Sequence, residues 1–142
     1  MAYLDARNAE EVRKAFAALR DPVKLIVFSQ SLAAAELCAQ NEQLVGEVAA
    51  LSDKISVEVL NLAIDQQRAE TYGVDQVPAI VVEGARDYGL RFYGVPAGYE
   101  FGNLIDAIVV ASTGAAKLAD DTKTALGSLG SDVDIKVFST PT

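Results

Sequence analysis

YGVDQVPAIVVEG, Tyr72 to Gly84, is the stretch from which the architecture of this chain can be worked out. Ala79-Ile80-Val81-Val82 is a short β-branched apolar run, the pattern of a strand buried on both faces. Pro78 opens it and Gly84 closes it, and proline is tolerated at the first residue of a strand but not in its middle. Gly73 lies just upstream, where it ends a short helix over Gln66–Tyr72. Downstream, Leu90-Arg91-Phe92-Tyr93 is a second strand, close enough to form a hairpin through the turn at Gly84–Asp87. Gly94 and Gly98 then punctuate the loop before an apolar helix over Phe101–Ala111. Upstream the same reading gives an alternating strand, Ile55–Leu60, and a long helix from about Leu32 to Leu51. That helix has Leu37, Cys38, Leu44, Val45, Val48 and Leu51 on one face. Before it come a buried strand, Val23–Phe28, and a first helix, Asn8–Leu19, with Asn8 as its N-cap.

The order is therefore α-β-α-β-α-β-β-α. Strands joined through helices are parallel, and the short link between the last two makes them antiparallel. The expectation is an α/β chain with a thioredoxin-like fold, a mixed central sheet with helices on both faces. This unit takes up residues 1–114. Residues 115–142 fall outside it: Lys117–Leu129 reads as a weakly amphipathic helix and Val133–Phe138 as one more strand. VKLIVFS at Val23–Ser29 and VDIKVFS at Val133–Ser139 look like two copies of one opening strand, so residues 115–142 read as a linker helix and the first strand of a truncated second unit.

Composition bounds the chemistry. With 12 Lys and Arg against 20 Asp and Glu the net charge is −8, which argues against nucleic acid and anionic membrane surfaces as partners. There are no histidines and one cysteine, Cys38, so Ser-His-Asp triads, Cys-His pairs, ordinary zinc sites and an intrachain disulfide are excluded. No apolar run approaches the length of a membrane span, and MAYLDARNAEEVRK at the N-terminus is charged where a signal peptide is apolar. A soluble cytoplasmic location is the expectation. No metal site or cofactor is read: Asp65, Glu70 and Asp75 have the spacing of a solvated face. Gly94, Gly98 and Gly102 lack the Lys-Ser/Thr of a phosphate loop, and Tyr72, Tyr88, Tyr93 and Tyr99 read as packing.

Four stretches together resemble a known family. They are VKLIVF (Val23–Phe28), ALSDKISVEV (Ala50–Val59), YGVDQVPAIVVEG (Tyr72–Gly84) and GLRFYGVPAGYEFGNLIDAIV (Gly89–Val109). The chain resembles the glutaredoxin-like protein disulfide oxidoreductases built from two tandem thioredoxin folds, related to the N-terminal domain of the alkyl hydroperoxide reductase flavoprotein subunit. The PAGYEF loop, Pro96–Phe101, is the most specific of these signals. The likeness runs to IKVFSTPT (Ile135–Thr142), which in the family leads into the Cys-x-x-Cys of the second unit.

The resemblance implies thiol–disulfide exchange, and that chemistry needs two thiols. An attacking thiolate sits at a helix N-terminus, where free N–H groups and the macrodipole lower its pKa, and a second thiol one turn later resolves the mixed disulfide. In Ala35-Glu36-Leu37-Cys38 the resemblance places Cys38 at the resolving position and Ala35 where the attacking cysteine belongs. A cysteine with Leu37, Leu44 and Val45 along its helix reads most simply as a small buried hydrophobe, and the Glu36 carboxylate disfavours a thiolate. The resemblance also makes the Val77–Pro78 bond cis and implies that Ala35, Val77 and Pro78 meet an extended protein or peptide thiol or disulfide partner.

Three functions follow. The chain is the redox-degenerate first unit of a thiol–disulfide oxidoreductase, docking substrate or partner while the active dithiol lies beyond Thr142, and is inactive alone. Alternatively it is a non-catalytic interaction module that forms a homodimer through residues 133–138, or a regulatory monothiol at Cys38.

Overall fold

The computed structural model describes residues 2–140. A four-stranded sheet is built from β1 (Val23–Ser29), β2 (Ile55–Asn61), β3 (Ala79–Glu83) and β4 (Asp87–Tyr93) in the order β2-β1-β3-β4. β1 runs parallel to β2, with Val23 opposite Ile55 and Ser29 opposite Asn61, and antiparallel to β3, with Phe28 opposite Ala79. β3 and β4 form the expected hairpin, with a register shift at Val82/Glu83. The α-helices are α1 (Ala6–Phe16), α2 (Ala35–Ala49), α3 (Gln66–Tyr72), α4 (Phe101–Thr113) and α5 (Asp120–Gly127).

The two faces of β1 explain the layering. Successive side chains of a strand point to opposite faces. Leu25 and Val27 enter a cluster with Phe16 of α1, Val45 and Val48 of α2 and Leu104 and Ile108 of α4, whereas Ile26 and Phe28 enter a second cluster with Ala69 of α3 and Val74. Helices thus cover both faces. Each fully buried Val, Leu, Ile or Phe side chain in these clusters contributes about 1.5–3 kcal/mol by removal from water. Gly84 fixes how closely α4 approaches the sheet: a Cβ there would run into the Ala111 carbonyl oxygen. α3 is closed by Gly73 in the left-handed region (φ 66°), where glycine has no Cβ to clash.

On the α3 face, polar groups hold what the small helix does not cover. Glu58 of β2 accepts from Arg68 Nη1 at 3.0 Å and from Lys24 Nζ at 3.3 Å. The Arg68 and Arg91 guanidinium carbons lie 5.8 and 5.6 Å from the centroid of the Tyr72 ring, whose hydroxyl donates to Glu83 at 2.9 Å. Arg91 closes the row with two hydrogen bonds to the Asp87 carboxylate.

Several expectations are corrected. α1 is capped by Asp5, whose carboxylate accepts from the Asn8 N–H at 2.7 Å; Asn8 is the third helical residue and a donor, not the N-cap. α2 begins at Ala35 rather than Leu32, because Ala34 takes a left-handed conformation (φ 53°) that a helix cannot continue through. Leu32 is consequently 93% exposed, and Leu37 is off the buried stripe at 48%, a stripe that instead includes Asn41. Val57 and Val59 are exposed although they pair with Leu25 and Val27 on the main-cluster face, since β2 is the edge strand and the helices do not cover it there. The expected strand Val133–Phe138 is not formed: residues 129–140 are neither helix nor strand. A strand exists only through the ladder it shares with a neighbour, and here Ile135, Val137 and Phe138 are 80%, 84% and 92% exposed. Pro141 and Thr142, which complete the expected second-unit segment, lie outside the described residues.

Candidate functional site

The parallel pair β1–β2 ends at Ser29 and Asn61, and the chain turns from there into the loop before α2 and the loop before α3. Ligand sites in α/β sheets open at the carboxyl ends of such strands. A cleft of about 460 Å³ lies there, walled by Ser29, Gln30 and Ser31, by Ala35, Cys38, Ala39 and Glu42 of α2, and by Val59, Leu60, Asn61 and Asp65.

Ala35 is the first residue of α2, exposed and lining the cleft, and no side chain caps the free N–H groups of that helix end. One turn in, Cys38 is a free thiol, 2% exposed, and its N–H donates to the Ala34 carbonyl at 2.9 Å. A further turn along, Glu42 accepts from the Ser29 hydroxyl at 2.5 Å and ties α2 to the end of β1. On the far wall Asp65 accepts from the Asn61 N–H at 2.8 Å, while the Asn61 side chain accepts from Ala63 and Ile64. The polar groups of that wall are thus occupied in shaping the loop. Among the described residues no three His, Cys, Asp or Glu side chains come together to hold a metal ion.

Of the four residues singled out in the sequence, the fold brings Ala35 and Cys38 together in the cleft. Val77 and Pro78 stand at the same end of the sheet but across β1, because Ala79 pairs with Phe28 on the side opposite β2, and neither lines the cleft. The Val77–Pro78 peptide bond is cis. The buried Pro78 accepts from Gly94 N–H at 2.9 Å, which fixes this turn to the end of β4. Val77 makes no backbone hydrogen bond among the described residues, leaving its N–H and C=O without a strand partner.

Asn41 is a residue that the sequence reading misses. It is fully buried on the α2 stripe beside Cys38 and Val45, and neither its amide nitrogen nor its oxygen bonds to a protein group among the described residues. Its signal is a polar residue at a helical spacing otherwise filled by apolar ones. Glu42 and Ser29, 13 residues apart, are joined only by the packing of α2 on β1.

No protein-family model matches the chain. Over 48 residues it is 40% identical to a protein of Methanothermobacter thermautotrophicus described as a probable thioredoxin, a stretch covering 34% of this chain and 52% of that one. The alkylhydroperoxide reductase protein AhpF of Enterococcus faecalis superposes with a TM-score of 0.81 at 22% identity, covering 89% of this chain and 61% of that chain. A protein disulfide oxidoreductase from Aeropyrum pernix superposes with a TM-score of 0.74 at 25% identity, covering 88% of this chain and 55% of that chain. The chain thus spans roughly half to three fifths of the length of these proteins. Among the described residues no helix is long and apolar enough to cross a membrane. The sheet order, the helices on both faces and these superpositions establish that the chain has a thioredoxin-like α/β fold.

Proposed function

We propose that this chain is the redox-degenerate first unit of a thiol–disulfide oxidoreductase, a unit that docks a protein substrate or partner while an active Cys-x-x-Cys lies beyond Thr142. The observation that carries the reading is the pair Ala35 and Cys38. The cleft has the helix end and the inner thiol of an exchange site, and an alanine methyl stands where the outer thiolate would attack. A thiol that is 2% exposed cannot be the group that first meets an incoming disulfide, which weighs against a regulatory monothiol at Cys38. The unpaired Val77 backbone at the same end of the sheet supports docking of an extended segment.

The test combines insulin reduction with the sequence of the source gene. The chain alone is expected to reduce insulin no faster than dithiothreitol does by itself, and the codons after Thr142 are expected to encode Cys-x-x-Cys. Reduction well above that background by the isolated chain would overturn the reading, as would the absence of a downstream dithiol. A second reading, a thioredoxin-fold module that dimerises through residues 133–138, is favoured by the exposed Ile135, Val137 and Phe138. It requires a dimer by light scattering that the charge-bearing substitution Val137→Lys dissociates.

A further inference from the structure

The two ends of the sheet differ in charge. At one end lie the starts of β1 and β2 and the β3–β4 turn, where the connecting segments carry charge of both signs, Arg20, Lys54 and Arg86 beside Asp21 and Asp53. At the other end lie the segments beside the cleft, residues 30–38 and 62–65, and, across β1, residues 73–78 and 94–100. These carry Glu36, Asp65, Asp75 and Glu100 and not one Lys or Arg. None of the four acids has an ion-pair partner among the described residues, whereas Glu58 and Asp87 on the sheet and Asp21 beside it each meet an Arg or Lys. The negative field at the cleft end is therefore uncompensated.

The same end exposes large apolar side chains: Leu32 at 93%, Ile64 at 80% and Tyr99 at 84%. Leu32 follows Ser31 and Ile64 precedes Asp65, so both stand next in sequence to residues that wall the cleft. Exposed apolar groups rimmed by charge of one sign mark an interaction surface, and the sign selects the partner.

We propose that this surface docks a protein segment whose apolar side chains are flanked by lysine or arginine. The apolar residues would cover Leu32 and Ile64 and reach the cleft, and the cations would face Glu36, Asp75 and Glu100. This rests on the docking role proposed above and adds the chemical class of the occupant.

The test uses the full chain and three synthetic peptides of equal length: leucines alternating with lysines, leucines with glutamates, and leucines with serines. Binding is read by calorimetry and by amide shifts in nitrogen-15 NMR. The lysine peptide is expected to bind with shifts confined to residues 30–38, 62–65, 73–78 and 94–100. Raising salt from about 50 to about 300 mM should weaken that binding, because the screening length falls by roughly a factor of two and exposed charge pairs are blunted. The triple variant Glu36→Lys, Asp75→Lys and Glu100→Lys, at three exposed positions, should bind the lysine peptide at least about tenfold more weakly and bind the glutamate peptide instead. Equal affinity for all three peptides would overturn the assigned class while leaving the docking role standing. No binding by any peptide would overturn both. Shifts at the Arg20, Lys54 and Arg86 end, growing with protein concentration alone, would identify the occupant as a second copy of this chain and overturn the proposal.

Discussion

Ala35→Cys tests whether the first turn of α2 still has the geometry of a dithiol site. Residues three apart on a helix bring their Cβ atoms to about 5–6 Å, which a modest tightening of the turn converts to disulfide distance. Ala35 is exposed, so the added sulfur meets no packed neighbour, and Cys38 is held in place by the α2–β1 contact. With oxidised glutathione the variant's two thiols lose two protons and two electrons and form one disulfide, and each glutathione disulfide consumed leaves as two thiols. Closing a loop of about four residues removes roughly 2 kcal/mol of denatured-state entropy by the chain-closure relation. For a chain of this size that raises the melting temperature by roughly 6–8 °C over the reduced form. The assay is a thermal melt of both forms with intact mass to confirm the loss of two hydrogens. Alongside it, insulin reduction is expected to rise measurably above the unsubstituted chain, and further on adding Glu36→Gln, since the nearby carboxylate disfavours the thiolate. A variant that only accumulates mixed disulfides, or whose oxidised form melts no higher, would mean that α2 does not present positions 35 and 38 to each other, and the dithiol reading of this turn would fall.

Other outcomes follow from single contacts. Asn41→Leu should raise the melting temperature, because an unbonded buried amide costs about 1–3 kcal/mol and leucine keeps the same branched skeleton without polar atoms; a lower melting temperature would show that the amide is bonded in solution. Gly84→Ala should destabilise by more than about 2 kcal/mol in urea unfolding, since its methyl meets backbone that cannot rotate away; a smaller loss would show that α4 can shift off the sheet. The hydrogen bond from Arg91 lowers the Asp87 carboxyl pKa, and that from Arg68 lowers that of Glu58. A depressed carboxyl pKa stabilises the folded state above the unfolded pKa and loses that stability as pH falls through the folded one. Urea midpoints should therefore fall as pH drops from about 5 to about 3, and Arg91→Met should flatten that fall; an unchanged profile would refute the linkage. Cys38 should react with a maleimide far more slowly in native buffer than in urea, and equal rates would show that it is not enclosed.

The elements and their order were legible in the letters. A proline at the head of an apolar run, glycines at the ends of α3 and β3, and period-two and period-3.6 patterns are local signals, and local backbone chemistry suffices to read them. They place α3 to the residue and β1 within one. The missing second cysteine is likewise a property of the letters alone. Whatever depends on neighbours distant in the chain was settled by packing instead. Val133–Phe138 has the letters of a strand, but a strand needs a ladder and this segment joins neither edge of the sheet. Leu32 and Leu37 have helical spacing, but the left-handed Ala34 and the angle at which α2 meets β1 put them in solvent and Asn41 in the core. The cleft joins Ser29 to Glu42 and Cys38 to Asn61 because two parallel strands end side by side. The one-signed charge of that end exists only once the crossovers have gathered four separate loops together, since burial and Coulomb energies depend on distance in space rather than along the chain.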